Sequence, residues 1–411
     1  MALNCQKLWL TRGQRERYHA YMYDPHHSIT HIGETTWRGQ HKKFGMYEGD
    51  KFQHMLLLGK TGMGKTYLLQ GMALSDLQMG KGLVYLDPAG DSARYLMEHI
   101  PEHRKSDVIY FNPSDLDFFV AFNPLENIPS AYHHITTAGL IGVFKRIFKD
   151  TWGTRQEHVM RYALLTLLAC DGVTLLDLQP LLTNYTYRSE LLATFIREPY
   201  LIDFWEQEFD ALSKSAQRDL IAPILNKIGI FRASRPLRTV FGQESSDFRI
   251  QEVMDGSKVF IADLSKGKLG EDAAMILGSF LLTAFMNGAQ FRAHYPQEAR
   301  VPFFIYVDEM HNFLSPAIAE ILSECRKFRL GLIMATQHLG NIPDELQDAI
   351  FGNIGTLLCF RIGSTDARRL AQEFAPVFDA QDLLHLRQYH FYIKLCIDGI
   401  TSVAFSGRTV K

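Results

Sequence analysis

No two cysteines in this sequence have the spacing of a metal-ligand pair. Cys5, Cys170, Cys325, Cys359 and Cys396 are scattered and odd in number. Such a set is not a disulfide framework and reads as reduced thiols of a cytosolic protein. An excess of one charge sign is also missing. The 43 Lys and Arg against 45 Asp and Glu leave a formal net charge of −2. Bulk charge therefore points to neither nucleic acid nor an anionic membrane, and such contacts would need a local basic surface. Long hydrophobic runs are lacking too. The longest apolar stretches, such as 275–285, fall short of the roughly 18–20 residues of a membrane helix. The opening MALNCQKLWLTRGQRER has no apolar signal-peptide region. The expectation is a soluble chain without direct membrane insertion. Repeats and low-complexity segments are absent. With 46% hydrophobic and 21% charged residues in 411, the composition is globular, which excludes disorder as the main state.

What is present has three textures. Residues 1–44 are polar, aromatic and rich in His, and read as an irregular lead-in. His26, His27 and His31 match no standard ligand spacing. From residue 52, short apolar runs bounded by Gly, Asp or Pro alternate with helical stretches. The runs are 54–58, 82–86, 107–111, 258–264, 302–307 and 330–335. Continuous Val/Ile/Leu/Phe runs of this length suit strands buried on both faces of a parallel sheet. Alternation with helices argues for βαβ units. Runs 355–362, 390–397 and 401–405 read as further strands, and Asp398-Gly399 is a hairpin signal. Residues 126–249 break the pattern with helical spacing, as in 158–170, 190–197 and 201–209. The expected architecture is an α/β domain over 45–125 and 250–411, with an inserted all-α domain over 126–249.

The strongest chemical signal is Gly59-Lys60-Thr61-Gly62-Met63-Gly64-Lys65-Thr66, followed by Tyr67. This is the full G-x-x-x-x-G-K-[ST] pattern. Glycines let the backbone wrap a phosphate chain with N–H groups inward. Lys65 would face the β- and γ-phosphates, and the Thr66 hydroxyl would ligate Mg2+. Chance supplies the pattern on the order of once per hundred chains of this length. Here an apolar strand precedes it and a helix follows, as the chemistry requires. A second apolar run ends in Asp308-Glu309. Asp308 would hold Mg2+ and Glu309 would orient and deprotonate the attacking water. Gln337, after run 330–335, has an amide that can both donate and accept near the γ-phosphate. Arg326, in Arg326-Lys327-Phe328-Arg329, suits either an arginine finger acting in a neighbouring copy or a cation favouring a helix C-terminus. Arg329 and Arg361 are further candidates for the finger.

These motifs resemble those of the HerA/FtsK superfamily of RecA-like motors. More closely, the chain resembles the conjugative type IV secretion coupling proteins and their TraG-like relatives. The resemblance is carried by Phe44-Gly45 and Asp50-Lys51-Phe52-Gln53-His54 ahead of the P-loop, and by Ala121-Phe122-Asn123-Pro124-Leu125 before the helical region. It continues in Ile261-Ala262-Asp263-Leu264-Ser265, in YVDEMHNF from Tyr306, in Arg326 and in Ala335-Thr336-Gln337. It spans about residues 44–375. It implies a RecA-like P-loop NTPase with a mostly parallel central sheet, ATP rather than GTP, Mg2+, and a ring, a hexamer by resemblance, that moves DNA. Lys65, Thr66, Asp308, Glu309, Gln337 and Arg326 carry over one by one. Typical coupling proteins begin with membrane helices and this chain does not. The expected location is cytoplasmic, and any anchoring to a membrane secretion complex would come from a partner.

DNA contacts are harder to read. Lys145, Arg146, Lys149, Arg155 and Arg161 suit a DNA-facing helix or a solvated charged face. Residues 265–270, SKGKLG, read as a flexible basic loop that would line a pore, or as a surface turn. The expected function is an ATP-hydrolysing DNA translocase for conjugation or mobile-element transfer, with a relaxase-type partner. Rival expectations are a HerA-like motor partnered with a nuclease, a secretion energiser with protein cargo, and a nucleotide-dependent assembly scaffold.

Overall fold

The computed structural model describes residues 29–148 and 152–410. His26, His27, Cys5 and Lys149 lie outside them. Thirteen strands are described: β1 (Ile29–Thr35), β2 (Lys43–Tyr47), β3 (Met55–Leu58), β4 (Gly82–Asp87), β5 (Val108–Phe111), β6 (Val259–Asp263), β7 (Phe303–Val307), β8 (Leu330–Thr336), β9 (Thr356–Cys359), β10 (His390–Lys394), β11 (Cys396–Ile397), β12 (Ile400–Thr401) and β13 (Phe405–Arg408). Eleven form one sheet in the order β2-β1-β13-β10-β9-β3-β8-β7-β4-β6-β5. From β9 to β5 every pairing is parallel. From β9 outward through β10, β13, β1 and β2 every pairing is antiparallel.

The apolar runs are continuous because the central strands have a core on each face. Leu56, Leu58, Val84, Leu86, Ile305 and Val307 point to one face, and Met55, Leu57, Leu83, Tyr85, Phe304 and Tyr306 to the other. At the antiparallel edge, β10 alternates instead, with Phe391 and Ile393 buried and their neighbours half-buried. The Asp398-Gly399 turn has both residues at positive φ, 51° and 78°, and closes the β11–β12 hairpin, as a two-residue turn of the primed type requires.

The irregular lead-in needs correcting. Over 29–44 the chain forms β1 and enters β2, both within the main sheet. Two features mask β1. A register shift between His31 and Gly33 breaks its alternation. At Gly33 the Arg408 carbonyl comes within 2.3 Å of where a Cβ would sit, so a residue that looks like a breaker is needed for strand contact. The C-terminal runs also divide differently: 390–397 splits at Leu395 into β10 and β11, and 401–405 into β12 and β13.

Helix α1 (Lys65–Gln78) follows β3, and α2 (Asp91–Glu98) follows β4. Between β5 and β6 the described residues hold helices and turns only, including α3 (His133–Ile147), α4 (Thr154–Leu168) and α5 (Lys214–Ala233). Phe144, Val159, Trp205 and Phe231 of this insert share one continuous core with one face of the sheet. Helix α6 (Glu271–Gln290) runs through that core. Together with the turn to His294 it is long and apolar enough to cross a membrane, unlike the sequence reading of 275–285. Yet 83% of its apolar window is buried inside the protein, so its apolarity is accounted for by packing.

Candidate active site

Register brings the motifs together. Leu58 pairs with both Thr336 and Cys359, and Val307 with Met334. The residues that follow β3, β7, β8 and β9 therefore emerge at the same edge of the sheet, the carboxyl ends of parallel strands where ligands of such sheets sit. After β3 the chain turns through Gly62 and Gly64, with φ of 76° and 118°, into α1. Gly64 admits no side chain: a Cβ would lie 2.8 Å from the Tyr389 ring in a backbone conformation that only glycine takes easily. Met63 is buried beneath the turn and Thr61 is exposed on it.

Five of the expected residues interlock. The Thr66 hydroxyl donates to Asp308 Oδ2 at 2.8 Å. Lys65 Nζ donates to the Gly59 carbonyl at 2.7 Å and lies 3.7 Å from Glu309 Oε1. The Gln337 amide bridges the P-loop and the carboxylate: Nε2 donates to Glu309 Oε1 at 2.7 Å, and Oε1 accepts from the Thr61 hydroxyl at 2.8 Å. Lys65 is only 4% exposed and Asp308 5%. Burial lowers the Lys65 ammonium's pKa, against the pull of Glu309 and Asp308, and raises that of the Asp308 carboxyl. Glu309 sits in left-handed backbone, φ 45° and ψ 55°. Its second oxygen, Oε2, is buried without a hydrogen-bond partner.

Sequence reading missed several neighbours. His311 Nδ1 lies 3.3 Å from the Thr336 hydroxyl and 3.6 Å from Glu309 Oε2. Burial first, then the positive charges of Lys266 and Arg146, push its pKa down to about 4, so the ring is neutral at pH 7. It stands inside YVDEMHNF, so nearness to Glu309 was the available signal. Gln388 and Tyr389 had none. Gln388 Nε2 donates to the Gly62 carbonyl at 2.7 Å, the Tyr389 amide to the Met63 carbonyl at 3.0 Å, and the Tyr389 ring meets Tyr67 edge-on at 6.1 Å. The segment before β10 thus braces the P-loop from 326 residues away in sequence.

The arginines separate by position. Arg326 precedes β8, at the opposite end of that strand from Gln337. A seven-residue strand spans about 20 Å, so Arg326 cannot serve the P-loop of its own chain. It is exposed. Arg329 is engaged by Glu48 at 3.4 Å and lies over the Phe52 ring. Arg361 is beside the P-loop of its own chain, where its carbonyl accepts from the Lys60 amide at 2.8 Å.

Two basic segments had alternative readings. Residues 265–270 include a short helical turn, Lys266–Leu269. Lys266 donates to Asn312 Oδ1 at 2.8 Å and Lys268 to Asp263 Oδ2 at 3.1 Å. Lys145 and Arg161 both pair with Glu157, and Arg146 donates to the His311 carbonyl. Of that cluster Arg155 is exposed, and Lys149 is outside the described residues.

A phosphate-cradling turn after the central strand, with a carboxylate pair two strands away, defines the class: a RecA-like P-loop ATPase of the HerA/FtsK kind. The family model for the central domain of helicase HerA matches residues 48–285, more than half of the chain, and the chain belongs to that family. Its fold is that of the bacterial conjugative coupling protein TrwBdeltaN70 in the unbound form. The TM-score is 0.64 at 16% identity, covering 92% of this chain and 89% of that one. TrwB in complex with the ATP analogue ADPNP matches at 0.65 and 14% identity, covering 98% and 92%. VirB4 of Thermoanaerobacter pseudethanolicus matches at 0.55 and 12%, covering 93% and 96%. No curated protein sequence matches the chain.

Proposed function

We propose that the protein is a Mg2+-dependent ATPase that assembles as a ring and moves DNA, in the manner of a conjugative coupling protein. One observation carries the catalytic part. Lys65, Thr66, Asp308, Glu309 and Gln337 converge at one sheet edge, and the carboxylate that would act as base keeps one buried oxygen unpartnered. A buried polar atom without a partner is a cost to folding and calls for a functional reason.

The residues fit ATP and Mg2+. Among the described residues no group of three His, Cys, Asp or Glu could hold a metal. Mg2+ in nucleotide sites takes one or two protein oxygens and fills the rest of its shell with phosphates and water. Thr66 Oγ1 and Asp308 Oδ2, 2.8 Å apart, are such a pair. TrwB has been solved with ADP and Mg2+ and with ADPNP, which supports the same ligands here. Bound Mg2+ would neutralise charge on the phosphate oxygens. The protein's part is positioning. Backbone N–H groups of Gly62 to Thr66 cradle the phosphates and Lys65 faces their charge. Gln337 and Glu309 hold the water. As water attacks the γ-phosphorus, its proton passes to Glu309 Oε2, the β–γ anhydride bond breaks, and ADP and phosphate leave.

Arg326 supports the ring. It is exposed and about 20 Å from its own site, so as a finger it would reach the nucleotide of a neighbouring copy. DNA as cargo is supported by membership in a helicase family, and a conjugative setting by the likeness in fold to TrwB. A cytoplasmic ring recruited to a membrane complex by a partner completes the reading.

The test is the ATPase rate per subunit against protein concentration, with and without single- and double-stranded DNA, for wild type and Arg326→Ala. The expected result is a rate that climbs with concentration, rises with DNA and falls about 10³-fold or more in the variant. A rate indifferent to both DNA and Arg326 would leave a P-loop ATPase and end the translocase reading.

A further inference from the structure

Arg146 lies in the last turn of α3, the first long helix of the insert, and its surroundings do not suit a stabilising role. Its side chain is half-buried, and burial works against its charge. Nη2 donates to a neutral acceptor, the His311 carbonyl, while Nε is buried with no partner. A buried N–H left without a partner, such as this Nε, costs stability rather than adding to it. Its neighbour Lys145 is engaged elsewhere, by Glu157.

The contact lands on the turn that aims Glu309. Met310–Asn312 is one short turn, and it is held from several sides. Asn312 Nδ2 donates to the Glu309 carbonyl at 2.9 Å, and Lys266 Nζ to Asn312 Oδ1 at 2.8 Å. The His311 ring reaches Thr336, the residue before Gln337. Arg146 is the part of this set that comes from the helical insert. Its helix is fixed against the core, where Phe144 meets Phe280 of α6 edge-on at 5.9 Å. Glu309 needs such restraint, because left-handed backbone at a non-glycine residue persists only when its surroundings impose it.

We propose that Arg146 is a positioning residue for Glu309: through the His311 carbonyl it ties the insert, residues 126–249, to the turn that aims the catalytic carboxylate. The proposal rests on the ATPase reading above. A shift of α3 would move the His311 carbonyl, and with it the carboxylate, so load on the insert alters hydrolysis rather than ATP affinity. Displacements near 1 Å at a reacting group cost orders of magnitude in rate.

The experiment compares Arg146→Met and Arg146→Lys in the wild type and in Glu309→Gln, reading kcat, KM for ATP and affinity for ADPNP. Arg146→Met should lower kcat about thirtyfold, with KM and ADPNP affinity within about threefold. Arg146→Lys, which keeps a charged donor, should recover most of kcat. In the Glu309→Gln background, Arg146→Met should have no further effect on single-turnover hydrolysis, because both changes act on one carboxylate. If Arg146→Met does not fold well enough to bind ADPNP, Arg146→Ala, which also removes the donor, serves the same comparison. A kcat within about twofold of wild type, or an equal loss in both backgrounds, overturns the proposal alone. A wild type that does not hydrolyse ATP, or a Glu309→Gln variant at the wild-type rate, overturns the ATPase reading and this proposal with it.

Discussion

At the amino ends of β3 and β8, His54 is used twice. Its Nδ1 accepts from the Leu332 amide at 3.1 Å and its Nε2 faces the Leu322 carbonyl at 3.1 Å. Nearby, Asp50 accepts from the Asp398 and Gly399 amides and braces the hairpin turn. Lys51, Asp76, Thr30 and Tyr306 form a closed buried network, with the ion pair at 2.5 Å. At the opposite ends of these strands, just past the carboxyl end of the neighbouring β7, Glu309 has a buried oxygen without a hydrogen-bond partner and left-handed backbone. Both regions hold buried charge beside the same apolar strands. In the first each hydrogen-bonding group named here is answered, and the outcome is stability. In the second the answer is withheld where a substrate would supply it. Satisfaction of buried polar groups, more than their presence, separates scaffold from site here.

The largest effect should come at the unsatisfied end. Glu309→Gln should lower kcat by about 10³-fold while ADPNP still binds. Turnover at the wild-type rate would show that Glu309 is not the base. At the satisfied end the losses should appear in stability instead. Lys51→Met leaves Asp76 buried without its cation and should cost about 3–5 kcal/mol in denaturant unfolding, with kcat per folded molecule within about twofold. A variant as stable as wild type would mean that the network is not structural. His54 gives a smaller, pH-dependent version. Burial lowers its pKa from 6.5 to about 4. Below pH 6.5 the unfolded chain takes up a proton that the folded one refuses. Its contribution is therefore complete above 6.5 and is lost as pH falls toward 4, by about 1.4 kcal/mol per unit. His54→Asn, which tolerates the positive φ of 59°, should show a shallower loss between pH 6.5 and 4.5. Equal slopes would remove His54 as the cause.

The same contrast explains what could be read from the sequence. The Gly59–Thr66 turn and the Asp308-Glu309 strand end are local patterns whose chemistry needs adjacent residues, and each was legible in one stretch. Pre-P-loop residues such as Asp50 and His54 were legible as a family signature but not in purpose, because their partners, Gly399 and Leu332, are far along the chain. β1 was missed because its bulge and Gly33 erase the alternation that marks an edge strand. Gln388, Tyr389 and Arg146 act through backbone carbonyls of distant turns, and a carbonyl leaves no mark in a sequence. The basic cluster at 145–161 left two readings open for the opposite reason: Lys145 and Arg161, which could meet phosphates, pair with Glu157 on a part-exposed face.

Lys145 and Arg146 make the sharpest version of that last point, being adjacent on one helix. Lys145 pairs with Glu157 at 2.8 Å, and Arg161 pairs with the same carboxylate at 3.0 Å. Removing the lysine leaves Glu157 its arginine, and exposed pairs contribute only about 0–1 kcal/mol. Lys145→Ala should therefore shift stability by under about 0.5 kcal/mol and leave kcat unchanged, against a large kcat loss for Arg146→Met. Each phosphate contact contributes about one unit to the slope of log affinity against log salt. If Lys145 instead leaves Glu157 to meet DNA, Lys145→Ala should lower that slope by about one. Salt titrations of DNA binding by the two proteins would show which of the two partners the lysine keeps.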